Sequence, residues 1–515
     1  MKNHLSKNLT IIFLLLVVAC TPPDKHQQVI VADATSPSRL FLQQVGSHSV
    51  ILKWRGEAEL ACWSPEADGL QQALCNQGNL TEGNHRELLI EDLAADTEYL
   101  YSVGGYANDS LRFRTAPSKG QVPADGSVHI WILGDSGTES APAIPGHSNK
   151  GKAAKTLAGY QQYRSANNIK PADMVLMLGD NAYMEGTDEQ WQLAVFDVFA
   201  DVLSQSPLYS TIGNHEMGAG AIKASYLANK YPALAGQHDG DLWLGGLSTS
   251  SDPNSYVTGD DKTPRRVPYL DILTLPANGE LGGKPSGTEQ YYSFDYGNVH
   301  VISLDSQLSA RDEQQRLTMR KWLVSDLLNN GLDWTIIIFH HPVYTKGSHD
   351  SDTKPASQLG IDQPIVDLRE EFTPIFENYG VDLVFSGHSH SYERSWYLHG
   401  HRGDAASFNA TQHAELNPSG EPASGFGDEA YQQISISSQK DDKVVYTVAG
   451  SSGHVSMADG KLDHPAHAIQ GNDPQRRHGL AEQGSVVVDA SKNELTARFI
   501  NEKGDVLDTV VIQRD

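Results

Sequence analysis

Five solid apolar runs that stop abruptly in polar residues constrain this chain more than any other feature. They are VHIWILGDSG (128–137), DMVLMLGDNAY (173–183), LYSTIGNHE (208–216), WTIIIFHHP (334–342) and VDLVFSGHSH (381–390). A short run that is apolar at successive positions reads as a strand covered on both faces. Amphipathic helix candidates lie between several of them, such as DEQWQLAVFDVFADVLSQ (188–205) and DEQQRLTMRKWLVSDLL (312–328). This alternation predicts a layered α/β domain, in which ligands gather at the carboxyl ends of strands. Here every such end carries Asp, Asn or His.

Residues 36–117 have a different texture. Val50, Leu52 and Trp54 alternate with other residues, as do Tyr99, Tyr101 and Val103, and Leu111 and Phe113. Period-two alternation over about 80 residues predicts a small all-β sandwich. LAADTEYLYSV resembles a strand-turn of fibronectin type III-like modules. SKGQVPADGS, 118–127, reads as a linker, with the α/β domain following as 128–515. Residues 217–290 and 401–440 are rich in Gly, Ser, Asp and Pro and read as long surface insertions near the site. The stretch SVVVDASKNELTARFINEKGDVLDTVVI predicts a strand-turn-strand meander with Gly504 at a turn.

The first 20 residues have signal-peptide form: Lys2 and Lys7 precede an apolar run that ends at Cys20. Val17-Val18-Ala19-Cys20 resembles a bacterial lipobox, which implies acylation of Cys20 and a lipid anchor in a membrane. Residues 21–35 then form a polar tether. The expected location is outside the cytoplasm, at the outer membrane, periplasm or cell surface. Only Cys62 and Cys75 remain, and an even pair in an exported chain suggests one disulfide. The formal net charge is −25. Such a chain repels nucleic acid and anionic lipid, so a site for an anionic substrate must carry its own local positive charge.

Gly134-Asp135-Ser136-Gly137 raises the question of whether Ser136 or Asp135 is the reactive residue. A serine hydrolase needs a histidine base beside its serine. His129 lies in the strand that feeds the Ser136 loop and is badly placed to turn back. None of the 21 histidines has an Asp three positions earlier, the arrangement used by Gly-Asp-Ser esterases. The strand ends instead supply Asp135, Asp180 with Tyr183, Asn214 with His215, His340 with His341, and His388 with His390. Carboxylate, phenolate and amide oxygens with imidazoles suit Fe, Mn or Zn. One carboxylate between two ions makes a two-metal hydrolytic site. In GHSH, histidines two residues apart can point one ring at each ion.

The ordered series GDSG, GDNAY, GNHE, IIFH and GHSHSYERS resembles the metallophosphoesterases, and specifically their purple acid phosphatase branch. The likeness runs across residues 128–450, and the preceding β-sandwich fits that branch. It implies an αββα core, a β-sandwich flanked by helices, behind a fibronectin type III-like domain. By resemblance Asp135, Tyr183 and His390 hold one metal. Asn214, His340 and His388 hold the second, and Asp180 bridges. Many relatives carry a His two residues after the first Asp, where this chain has Gly137. Tyr183 phenolate takes over and stabilises Fe(III), leaving divalent Fe, Zn or Mn for the other position. His215 and His349 lie just outside the metals, and His349 stands where the family places a phosphate-binding or proton-donating His. His341 replaces a usually small residue and reads as supporting. Glu216 orients His215 or caps a helix, and Glu393–Arg394 reads as a structural pair.

The chemistry follows from charge. Two cations clamp phosphoryl oxygens and lower the pKa of a water, so that hydroxide attacks phosphorus in line with the leaving oxygen. His215 or His349 supplies the departing alkoxide with a proton, and Asn214 steadies a non-bridging oxygen. The expected activity is an acid phosphatase acting on small phosphate monoesters. A phosphodiesterase or pyrophosphatase on the same scaffold is the first alternative, and a non-catalytic surface-binding lipoprotein the second. The sequence does not set the oligomeric state.

Overall fold

The computed structural model describes residues 37–140, 151–183, 186–217, 255–256, 265–307, 309–310, 313–352, 362–433, 442–456, 461–468 and 478–514. The signal peptide, Cys20 and the tether lie outside the described residues.

Two four-stranded antiparallel sheets build the N-terminal region. One runs in the order Ser38–Gln43, Val50–Arg55, Arg86–Ile90, Asn79–Leu80. The other runs Leu74–Gln77, Leu60–Pro65, Glu98–Val103, Arg112–Arg114. Cys62 and Cys75 face each other across neighbouring strands and are joined as a disulfide. The Val50–Arg55 strand departs from simple alternation, because Ile51 and Lys53 are buried along with Val50, Leu52 and Trp54. Lys53 Nζ donates to Thr274 Oγ1 at 2.7 Å and lies 3.3 Å from Glu87. Burial pulls this ammonium below the usual lysine range, against the pull of Glu87.

Of the 217–290 region expected as a surface insertion, 218–254 and 257–264 lie outside the described residues, and the C-terminal part corrects the expectation. Residues 267–290 are not a surface insertion. Val267, Tyr269, Leu270, Ile272, Leu273 and Leu275 are core residues, and Tyr269 Oη donates to Ser210 O at 2.6 Å. A short apolar run inside a Gly- and Ser-rich region is swallowed by the joint between the two parts of the molecule. Residues 401–440 are likewise more than an insertion, since Tyr431–Gln433 adds a parallel strand to Val506–Arg514.

The larger part holds two mixed sheets. The first runs Leu208–Ser210, Met174–Met177, Val128–Leu133, Gly484–Ala490, Glu494–Asn501, Val506–Arg514, Tyr431–Gln433. Its first three strands are parallel, and the meander is antiparallel, with Gly504 at φ 80° in its turn. The second runs Tyr292–Tyr296, Val299–Ser303, Trp334–Ile338, Leu383–Ser386, Val444–Ala449, Tyr392–Leu398. Its middle four strands are parallel. Alternation within Trp334–Ile338 explains the solid apolar run. Ile336 and Ile338 enter the core shared with the first sheet. Ile337 faces Met319, Leu323, Leu368 and Phe376 from the covering helices Glu313–Leu327, Gln363–Glu371 and Thr373–Asn378. On the far side, Tyr160 of the helix Lys152–Asn167 stacks on Trp131 with centroids 4.1 Å apart. Helices therefore flank a two-sheet sandwich, the αββα order expected.

Residues 188–205 do not form one helix. Asp188–Trp191 is α-helical, Gln192–Phe196 makes a π-helical turn, and Ala200–Leu203 resumes. The widened turn brings Phe196 into the core along with Trp191, Val195 and Phe199.

A buried ionic triad ties the second sheet to its helix. His300 Nδ1 lies 2.7 Å from Asp295 Oδ1, and its Nε2 lies 2.8 Å from Asp326 Oδ2. Lys119 Nζ caps the outer oxygen of Asp295 at 2.6 Å. Burial alone would lower His300, but the two carboxylates outweigh it and lift the imidazole to about 9. A raised folded-state pKa means stabilisation that is complete below the unfolded value and lost as pH rises through the folded one. The triad's contribution should therefore fade from pH 6.5 to 9, by about 3 kcal/mol in total. Urea unfolding across that range should show the decline, and His300→Gln should flatten it.

Candidate metal centre

The donors sit where strands end and the backbone is forced. Asp135 and Asp180 have φ 54° and His388 has φ 68°. A non-glycine residue there costs about 1–2 kcal/mol and persists only when its surroundings over-determine it. The surroundings are specific. Glu216 accepts the amides of Asp180, Asn181 and Gly213 at 2.8, 2.6 and 2.7 Å, pinning two strand-end loops together. Asp135 Oδ2 accepts the amide of His388 at 2.8 Å, joining the ends of the two sheets. Gly137 is required by close approach: a Cβ there would lie 2.3 Å from the carbonyl carbon of Asn181. The position where many relatives carry a histidine has no room for one here.

The seven expected donors come together as two clusters. In the first, Tyr183 Oη lies 3.2 Å from each of Asp135 Oδ1, Asp180 Oδ2 and His390 Nε2. In the second, Asn214 Oδ1 lies 2.9 Å from His340 Nε2 and 2.9 Å from His388 Nδ1, and those nitrogens are 3.3 Å apart. Asp180 Oδ2 belongs to both clusters, being also 3.4 Å from His340 Nε2. Asp180, His340 and His388 form one compact three-donor group.

The outer nitrogens fix the tautomers. His340 Nδ1 donates to the carbonyl of Leu178 at 2.8 Å, and His388 Nε2 donates to Asp362 Oδ1 at 2.9 Å. With both rings neutral, lone pairs of two imidazoles and one amide oxygen face one another with no proton between them. That arrangement fits a cation. Without one, a proton substitutes: burial would lower His340, yet Asp180 outweighs it and lifts the ring to about 9. Burial, then the nearby His349, drops His388 to about 3 against the pull of Asp362. Burial, Asp180 and Asp135 hold the Tyr183 phenol well above its usual range. A cation among these groups would reverse the preferences of His340 and Tyr183 and reinforce the neutral ring of His388.

His215 and His349 flank the clusters. The His215 amide donates to Asp180 Oδ1 at 2.8 Å, and its ring lies 4.5 Å from that of Tyr183. His349 stacks on His388 with centroids 3.8 Å apart, its Nδ1 3.1 Å from Asp362 Oδ1. His341 is buried with Nδ1 2.9 Å from Ser306 Oγ, and its ring lies 4.4 Å from His388. Ser136 is buried and its hydroxyl bonds to no imidazole among the described residues.

Two readings need correction. Glu216 neither orients His215 nor caps a helix through its side chain, because all three amides above occupy its carboxylate. Glu393 and Arg394 do not pair with each other, since neighbours on a strand face opposite ways. Glu393 accepts from Thr345 Oγ1 at 2.6 Å and from the Lys346 amide at 2.9 Å, and Arg394 clasps Asp508 at 2.6 Å. Asp362 and Lys152 stand in no motif, and His454 has no ligand-like spacing in the sequence. Lys152 Nζ lies 3.3 Å from His454 Nδ1, and the His454 ring meets the edge of His390 at 5.7 Å. A glycine-rich GSSGH after the apolar run VVYTVA was the available signal for His454.

Residues 128–392 match the family model described as calcineurin-like phosphoesterase, just over half of the chain. The chain is similar to purple acid phosphatase 22 of Arabidopsis thaliana, 25% identical over 62% of this chain. The match spans 56% of that relative's length, so the relative's whole activity does not transfer by likeness alone. It is similar also to purple acid phosphatase 1 of Ipomoea batatas, 23% identical over 73% of this chain and 68% of the relative. The fold is similar to that of purple acid phosphatase PPD1 from yellow lupin seeds. That comparison has a TM-score of 0.58 and 17% identity, and covers 93% of this chain and 75% of the other. Matched over residues 128–392, the chain belongs to the calcineurin-like phosphoesterase family, in its purple acid phosphatase-like part.

Proposed function

We propose that this protein is an exported, two-metal acid phosphatase that hydrolyses small phosphate monoesters. The observation that carries the reading is the meeting of two donor clusters on one oxygen, Asp180 Oδ2. Asp135, Tyr183 and His390 would hold Fe(III), and Asn214, His340 and His388 would hold divalent Fe, Zn or Mn. Bound there, the ions supply positive charge for phosphoryl oxygens and acidify a water enough to act below neutral pH.

The chain's own side chains do the rest. Asn214 and His215 sit at the end of the Leu208–Ser210 strand, placed to steady a non-bridging oxygen. His349 is the donor of choice for the leaving oxygen, because Asp362 occupies its Nδ1 and leaves Nε2 for substrate. Lys152, held against His454, puts positive charge on the His390 side of the site, which a phosphate ester needs in a chain this acidic. Acylation at Cys20 would tether the enzyme to a membrane outside the cytoplasm, with residues 21–35 as the spacer. No nucleic acid partner is part of the reading.

The natively purified protein should contain two metal equivalents, iron among them, and show a visible charge-transfer band. Tyr183→Phe should abolish that band while elemental analysis still finds metal. A coloured wild type with an unchanged spectrum in the variant would remove Tyr183 from the coordination sphere.

Aryl phosphate should be turned over faster than bis-aryl phosphate or pyrophosphate, by about tenfold or more, which is about 1.4 kcal/mol of transition-state discrimination. The reverse order in initial-rate assays would make the protein a diesterase or pyrophosphatase instead. Asp180→Asn should lower kcat by at least about 10²–10³-fold, with the circular dichroism spectrum unchanged. Near-full activity in that variant would end the two-metal assignment.

A further inference from the structure

Asp362 lies outside every motif, yet its carboxylate is buried against the site. Its Oδ1 lies 2.9 Å from Nε2 of His388 and 3.1 Å from Nδ1 of His349. The two rings it joins are stacked, with centroids 3.8 Å apart. Among the described residues no lysine or arginine pairs with it; its ion-pair contacts are these two imidazoles. Asp362 also stands immediately before the helix Gln363–Glu371, where an Asp side chain ordinarily accepts one of the first helical amides. It makes no such cap. A buried carboxylate that forgoes its local partner for two imidazoles is held there by those imidazoles.

We propose that Asp362 is a positioning residue that sets a metal-binding histidine and a proton-donating histidine with one carboxylate. By accepting Nε2–H of His388, it turns the lone pair of Nδ1 towards Asn214 Oδ1. A carboxylate behind a ligand imidazole fixes tautomer and ring angle and strengthens the ligand. By accepting Nδ1–H of His349, it keeps that ring stacked on His388 and leaves Nε2 as the nitrogen that serves substrate. Metal retention and leaving-group protonation are thereby tied to one side chain. The His349 half of this proposal rests on the phosphatase reading above, whereas the His388 half does not.

Asp362→Ala removes both acceptors, and Asp362→Asn keeps the shape without the charge. Near-ultraviolet circular dichroism of the metal-free proteins establishes which variants are folded, and Asp362→Asn carries the test if Asp362→Ala is not. Zinc titration of the metal-free protein should show the second site weakened about 10–100-fold. Nitrogen-15 spectra of the metal-free protein should show the Nε2–H tautomer of His388 in the wild type and its loss in the variant. Wild-type affinity and an unchanged tautomer would overturn the His388 half, whatever the enzyme assay reads.

Alkyl phosphates, whose leaving oxygen needs a proton, should lose at least about tenfold more kcat than nitrophenyl phosphate at saturating metal. Adding Asp362→Ala to His349→Ala should not widen that alkyl-to-aryl gap further. Equal losses for both esters, or a gap that widens in the double variant, would overturn the His349 half. A metal-loaded wild type inactive on both esters would sink the phosphatase reading, and with it the His349 half, while the titration still decides the His388 contact.

Discussion

The structure turns on two carboxylates, Asp135 and Asp180, buried side by side and, among the described residues, with no lysine or arginine side chain paired to either. Among the described residues their ion-pair partners are imidazoles: His390 for Asp135, and His215 and His340 for Asp180. Buried negative charge that lacks a compensating cation is severely unfavourable. The chain nevertheless invests left-handed backbone at both positions to hold them. Burial would raise Asp180, but His340 and His215 outweigh it and hold the carboxyl well below its usual range. A third buried carboxylate, Glu216, is pushed up to about 7 by burial and by Asp180, and it spends its oxygens on three amides. Oxygen and nitrogen lone pairs converge here at a density that only cations or borrowed protons can relieve.

Holding such a cluster requires rigid supports, and the N-terminal sheets provide one. The Leu208–Ser210 strand that leads to Asn214 is an edge strand, which would otherwise expose unpaired backbone. The N-terminal region covers that edge. Gln43 Nε2 donates to Leu208 O at 3.4 Å, and Tyr101 Oη donates to Ser204 O at 2.6 Å. Arg39 and Arg55 both clasp Asp188 at 2.7 Å, on the helix turn that precedes the strand. Tyr269 and Tyr292 each donate to Ser210 O at 2.6 Å from the other side. The module that offered no chemistry of its own braces the strand that delivers a ligand, so its removal would loosen the site as well as expose an apolar face.

The donor set was legible in the sequence because it obeys a local rule. Each of Asp135, Asp180, Asn214, His340 and His388 follows an apolar run within a few residues, and parallel strands bring such ends together. The two-sheet core was legible for the same reason. What escaped had no local signature. Asp362 lies 26 residues before His388 in a stretch with no apolar run, and only the packing of the Gln363–Glu371 helix on the second sheet brings it inward. Glu216 was visible as a residue, but its targets are amides of loops remote in sequence. The apolar VPYLDILTLP was hidden by averaging over glycine-rich surroundings. The interruption of 188–205 arises from Phe196 being needed in a core that other segments build. In each case long-range packing decided between options that the local pattern left equal.

Net charge points the wrong way for the phosphate ester proposed as substrate, and the geometry explains why that does not matter. Charges at a surface are screened beyond about 8–10 Å at ordinary ionic strength, whereas charges in a buried pocket act with little screening. The 25 excess negative charges thus set solubility and the repulsion of polyanions. An ester at the metal centre would respond to what lies within a few ångströms. There it would meet two cations, His215, His349, and the Lys152–His454 pair. Lys152 has no carboxylate partner among the described residues, whereas Lys346, near His349, is tied to Asp350 and Asp352 at 2.6 and 2.9 Å. Positive charge is left unneutralised beside His390, and the route by which an anion is drawn in should pass that side of the site.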